Sequence, residues 1–241
     1  MIRRDYIMRL VQEMVQVLAR VLVLKQRQAH DQALQEINAA LRGLREGKDG
    51  SHGEPGEPAE ASLDAWVALC RTHEQAASGL MVAVADLLQA QGDLLALQGG
   101  QPASRRPRVL ALGLLLEALL SGETFVSASL LAKVDTLRAE TGDAPLPPAL
   151  FRRLVSYFAA RGRFADAEDT LFDWLESGDP EARAGGETFY ERLLALDDGA
   201  LAEGNLPRAE VEQGLRELRA RRSPANPGAS SSNANGPAPL D

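Results

Sequence analysis

Residues 151–180 read FRRLVSYFAARGRFADAEDTLFDWLESGDP, and this stretch decides the fold. Phe151, Leu154, Val155 and Phe158 stand at i, i+3, i+4 and i+7, which lays four apolar side chains along one side of a helix. Gly162 supplies a turn at a residue that adopts left-handed backbone without a steric penalty. Phe164, Ala167, Leu171, Trp174 and Leu175 repeat at helical spacing, with a second helix expected from Asp166 onward. Ser177-Gly178-Asp179-Pro180 then stops that helix and offers a cap and a first-turn proline to the next one. The stretch is a helical hairpin with both inner faces visible.

Downstream, a helix with a weak beginning at Gly185-Gly186 and a firm end through Phe189, Tyr190, Leu193, Leu194 and Leu196 is expected, then a turn over 197–205. Pro207 opens a last helix with Val211, Leu215 and Leu218 inward and arginines near its end, where positive charge suits the helix dipole. Upstream, Thr124 to Glu140 reads as a helix, and Val109 to Leu120 is apolar on nearly every side, so it should be the most buried element. Gly99-Gly100-Gln101-Pro102 delays that helix to about Arg105, and Gln91-Gly92-Asp93 reads as the turn that ends the helix before it. Ser62 is an N-cap for a short helix, and Thr72-His73-Glu74-Gln75 matches a capping box; one bent helix or two over 62–91 both fit.

The first helix, over 4–25, has Ile7, Leu10, Met14, Val17, Val21 and Leu24 at alternating spacings of three and four, with a second stripe in Val11, Leu18 and Leu22. A turn near Gln28 leads to a helix over 31–46 with Ala33, Leu34, Ile37, Leu41 and Leu44 inward. That single partner cannot cover both stripes, so either neighbouring hairpins cover the second one or it makes a homodimer. About nine to ten helices in stacked antiparallel hairpins make up the expected all-α domain over residues 1–222. A flexible loop is expected at 48–61 and a disordered tail at 223–241, since neither has apolar side chains to offset the entropy of ordering.

Composition limits the function classes. Of 241 residues 45% are hydrophobic and 5% aromatic, with leucine and alanine dominant, which favours helix over strand. A net charge of -8 argues against nucleic acid, whose phosphates call for clustered lysine and arginine in excess. Cys70, the single cysteine, permits no internal disulfide and suits a reducing cytoplasm. No segment reads as an uninterrupted apolar run of the roughly 18 residues that cross a bilayer, so no membrane span is expected.

The central hairpin resembles a tetratricopeptide repeat, the landmark positions falling at Phe151, Leu154, Phe158, Gly162, Phe164, Ala167, Leu171, Trp174 and Pro180. Trp174 stands where that repeat has a small residue, and Pro180 comes one residue late. A weaker copy of the spacing runs through Leu24, Ala33, Ile37 and Ala40, and a broken one ends in Ala111, Leu115 and Ala118. Over nearly its whole length the chain also resembles an uncharacterised bacterial helical family, through Met1-Ile2-Arg3-Arg4-Asp5-Tyr6-Ile7, Gln91-Gly92-Asp93, Phe189 to Leu196 and Leu206-Pro207-Arg208. The first resemblance implies a protein or peptide partner held by outward positions of the hairpin's first helix, here Arg152, Ser156, Ala159 and Ala160. It gives Arg152 a carboxylate contact, with Ser156 where a clamp would have asparagine. The second carries no activity.

Catalytic chemistry has little to work with. His30 lies beside a turn, His52 in the glycine-rich stretch and His73 in the capping box, none near a nucleophile. Asp166, Glu168, Asp169 and Asp173 read as a solvated face, as do Arg152, Arg153, Arg161 and Arg163 in the absence of a partner. No glycine-rich phosphate loop is present. The expectation is a non-enzymatic interaction scaffold without metal or cofactor; an enzyme whose site is assembled from separate hairpins and a purely structural homo-oligomer are the alternatives. Removing residues 48–61 and 223–241 together should leave the thermal midpoint within a few degrees of the full chain, as followed by circular dichroism.

Overall fold

A computed structural model of the chain describes residues 2–46, 62–73, 76–99, 101–122, 126–142 and 145–220, with the backbone alone at 2–8 and 101. Leucine and alanine adopt the conformation their propensities favour, and the described residues are helical without a strand. In chain order the helices are α1 (Ile2–Gln26), α2 (His30–Glu46), α3 (Leu63–Arg71), α4 (Ala77–Gly99), α5 (Gln101–Leu120), α6 (Ala128–Glu140), α7 (Pro148–Ala160), α8 (Phe164–Glu176), α9 (Pro180–Leu194), α10 (Asp198–Glu203) and α11 (Arg208–Ala220). These eleven exceed the nine to ten expected. Residues 62–91 hold two helices, and Asp197 caps the short α10 within the expected turn by accepting from Ala200 N–H. The loop at 48–61, the tail at 223–241, Glu74, Gln75 and Phe125 lie outside the described residues.

The longest packed pair is α4 with α5; α1, α2 and α3 also lie on α4, and α3, α6 and α7 on α5. Residues 107–116 are buried without a break, as expected of the central helix. α5 starts at Gln101 and not near Arg105, because Pro102 falls in the first turn, where a missing N–H leaves no helical hydrogen bond unmade. Gln91-Gly92-Asp93 forms no turn: α4 continues through it. A Cβ at Gly92 would lie 2.8 Å from Arg108 Cγ, so the glycine serves close approach between α4 and α5. α4 is long and apolar enough to cross a membrane by length and composition, although Asp86 and Asp93 interrupt its apolar run, and more than half of that apolar window is buried in the fold.

Thr72 closes α3 instead of opening α4. Its N–H reaches the carbonyl of Ala68 and its Oγ1 donates to that of Leu69 at 2.7 Å. Ser62 caps α3 as expected, accepting from Ala65 N–H at 3.1 Å.

The central hairpin is α7 on α8, turned by Gly162 at φ +71°. α8 starts at Phe164, two residues earlier than the Asp166 expected. Gly178 at φ +76° ends α8, and Asp179 caps α9, its Oδ1 accepting from Glu181 N–H at 3.1 Å. α9 therefore begins at Pro180, and Gly185-Gly186 sit inside it. A Cβ on Gly185 would lie 2.5 Å from the Trp174 ring, which explains both the large residue at a small position and the glycine opposite it. Trp174 is buried, and its indole N–H donates to Asp179 Oδ2 at 2.6 Å. One carboxylate thus caps α9 and satisfies a buried donor on α8.

Two arginines read as surface have structural partners. Arg153 is buried, with Nε on Glu117 of α5 at 2.8 Å and a second nitrogen on Asp64 of α3 at 3.0 Å, while Glu117 also pairs with Arg71. Arg163 lies 4.6 Å from the Phe158 ring centroid and pairs with Asp166 and Asp135. Removing Glu117 would leave the buried Arg153 with only the exposed Asp64 carboxylate as counterion, a costly way to break an ion pair.

Trp174→Ala should destabilise the fold by about 3–5 kcal/mol in chemical denaturation, through lost burial and a cavity. Gly185→Ala should also destabilise, although alanine is the better helix former by about 1 kcal/mol. In a Trp174→Leu background the same Gly185→Ala change should become neutral or stabilising, and the cycle measures the contact directly.

Candidate functional site

α7 and α9 run side by side with their N-terminal ends joined by Arg152 and Glu181, 2.9 Å apart. Between the two helices lies a groove of about 1060 Å³. Its α7 wall is Arg152, Val155, Ser156, Ala159 and Ala160; its α9 wall includes Glu181, Ala184, Thr188, Phe189, Arg192 and Leu193. Phe164 and Trp174 contribute from α8, and Leu120 and Leu196 lie at its margins with partly exposed apolar side chains. The groove exists because the facing residues are small. Ser156, Ala159, Ala160 and Ala184 are too short to fill the space between the walls, while Trp174 packs against Gly185 and sets the approach of α9 to α8.

The positions at which the repeat resemblance placed a partner, Arg152, Ser156, Ala159 and Ala160, thus share one wall. Arg152 is not free for a carboxylate, since Glu181 already accepts from it across the mouth. Arg192 is different. It is exposed at the C-terminal end of α9, lines the groove and has no ion pair among the described residues. Neither Arg192 nor Glu181 stands out in the sequence, although both sit on the α9 face that repeats at 181, 184, 188 and 192, two helices beyond the α7 positions implied by the repeat resemblance.

Groups whose protonation is strongly displaced lie elsewhere. Burial pushes the Cys70 thiol up to about 12, which keeps it unreactive at neutral pH. The acidic face of α8 is not wholly solvated as expected. Glu168 is partly buried and accepts from the Tyr190 hydroxyl of α9 at 2.7 Å. Burial holds its carboxyl above the ordinary range, Glu210, Asp169 and Glu217 push the same way, and the tyrosine hydrogen bond opposes them. His30 opens α2 and His73 follows the α3 cap, and neither lines the groove. Among the described residues no group of three or more histidine, cysteine or acidic side chains could hold a metal ion.

The model of a family of unknown function, DUF6483, matches residues 1–223. The chain belongs to that family. The match takes in all eleven helices and every residue of the groove. No curated protein and no solved structure matches the chain. Membership in DUF6483 therefore brings no activity with it, and the functional reading rests on the groove itself.

For the Glu168 carboxyl, a raised value in the folded state means that the fold holds its proton more tightly than the unfolded chain does. Its contribution to stability is present at low pH and is lost as pH rises from the ordinary carboxylate value through the raised one. Glu168→Gln keeps an acceptor for Tyr190 and removes the charge. The variant should be at least as stable as the parent at pH 7, and the difference should vanish in thermal melts below the ordinary carboxylate range.

Proposed function

We propose that the protein is a non-enzymatic interaction module, with hairpins of the tetratricopeptide kind, that holds a peptide segment of a protein partner in the groove between α7 and α9. The observation that carries this reading is the pairing of a mainly apolar trough with an uncompensated cation, Arg192, at one end. Such a surface suits a segment that offers apolar side chains to the floor and a carboxylate to the guanidinium. The groove's own small side chains supply room and no chemistry, and none of the groups with displaced protonation lines it. Both facts support binding over reaction. A bacterial, cytoplasmic setting is part of the same proposal and is consistent with a single, deeply buried cysteine.

The reading can be tested with an array of immobilised peptides of about a dozen residues, in which leucine and phenylalanine positions are combined with either acidic or basic residues. Acidic apolar peptides should be retained over their basic counterparts. Arg192→Glu should weaken that retention by about ten- to a hundredfold, the usual worth of a charge-assisted contact. Ser156→Trp, which fills the groove from an exposed position, should abolish it with the fold intact. Equal retention of acidic and basic peptides, or a folded Ser156→Trp variant that binds unchanged, would defeat the proposal.

A further inference from the structure

Helix α1 carries two apolar stripes, and the fold covers one of them. Met14, Val17 and Val21 are buried, on the helix that packs against α2 and α4. The second stripe is Val11, Val15, Leu18 and Leu22, about 100° further round the helix at roughly 100° per residue. Val15 and Leu22 are 56% and 61% exposed, and Val11 and Leu18 are partly covered. Between Val11 and Leu24 the charged residues are Glu13 and Arg20, which lie on the far side from this stripe, where Arg20 pairs with Glu36 of α2. Gln12, Ala19 and Gln26, all uncharged, border it on one side, and Lys25, paired with Asp93 of α4, follows Leu22 at its C-terminal end.

We propose that this stripe is a pairing surface for the same stripe of a second copy, with the two α1 helices antiparallel. The spacing of four, three and four is the period at which a helix presents a continuous seam to another helix. A twofold axis crossing α1 between Gln16 and Val17 sets Val11 opposite Leu22 and Val15 opposite Leu18. Every layer of the seam then holds one valine and one leucine, so the layers match in volume and neither end gapes. Charge selects the same occupant. Each chain has a net charge of -8, and the four residues of the stripe carry none, so two copies can meet across it without setting carboxylates against carboxylates. The stripe from Val11 to Leu22 is only about 16 Å long at 1.5 Å per residue, short of a standard interface, so the dimer is a weak one.

Sedimentation velocity of the full chain from about 1 to about 100 micromolar, a range that brackets weak self-association, should show the mean sedimentation coefficient rising with concentration. Val15→Glu with Leu22→Glu should remain monomeric throughout while keeping the helical signal and thermal midpoint of the parent, since both positions are exposed. Oxidative cross-linking reports the orientation independently and does not depend on that variant folding. Val11→Cys mixed with Leu22→Cys should give a disulfide-linked pair at least tenfold faster than either alone, and buried Cys70 does not compete. A parent that stays monomeric at all concentrations, a folded double variant that still associates, or Leu22→Cys linking to itself as fast as in the mixture would each overturn the proposal. A monomeric parent that co-sediments with phosphatidylglycerol vesicles through the same two residues would also overturn it and assign the face to a lipid surface.

Discussion

Arg108 lies with its aliphatic stem against the backbone of Gly92, and its guanidinium reaches Asp93 on α4 at 3.2 Å and Glu140 on α6 at 3.3 Å. Much of the molecule depends on that contact, because α4 and α5 form the central pair on which α1, α2, α3, α6 and α7 are laid. A buried guanidinium is tolerable only with counterions in place, so the ion triplet fixes the register of α5 along α4 and ties α6 to both. Gln91 and Asn38 extend the polar seam toward α2 at 2.7 Å, and Lys25 reaches Asp93 from α1. In this way three of the helices bordering α4, namely α1, α2 and α5, are registered by polar contacts through one short segment, Gln91-Gly92-Asp93, while leucine packing supplies the bulk of the burial.

A second constraint governs the half of the molecule that carries the groove. Arg153 and Glu117 join α7 to α5 at a buried point, and Trp174 with Asp179 joins α8 to α9. The two walls of the groove are therefore held from different sides, α7 by the central pair and α9 by its own hairpin neighbour and α11. With α8 packed on both walls and each wall also braced from outside, by α5 and by α11, the groove keeps its width without anything inside it. That is why small residues along α7 and α9 produce an open trough and not a collapsed contact.

Much of this architecture is legible in the chain. The hairpin of α7 and α8 follows from its apolar spacing and from Gly162, whose positive φ meets the expectation for that turn. Three departures share one cause. Gly92, Gly185 and Gly186 read as breaks because a glycine in sequence looks the same whether it permits a turn or admits a neighbour's side chain, and only the facing residue, Arg108, Trp174 or Leu218, distinguishes the two. Thr72 could open one helix or close another, and its hydroxyl chose the carbonyl behind it. Of the site, the α7 wall was visible through the repeat spacing, but the α9 wall was hidden by the misplaced start of its helix, and Arg192 with it. Burial of Arg153 and Glu168 depends on Glu117, Asp64 and Tyr190, which are distant in sequence and leave no local pattern.

The placement of the two tryptophans has an optical consequence. Trp66 is sealed within the α3 packing and Trp174 stands beneath the groove with its N–H held by a carboxylate. An indole hydrogen-bonded to a fixed negative charge has its emission tuned by that field, so any occupant that draws α9 outward or neutralises the local charge changes the colour of one fluorophore while the other stays constant. The protein carries an internal reference and an internal sensor in a chain that needs no label.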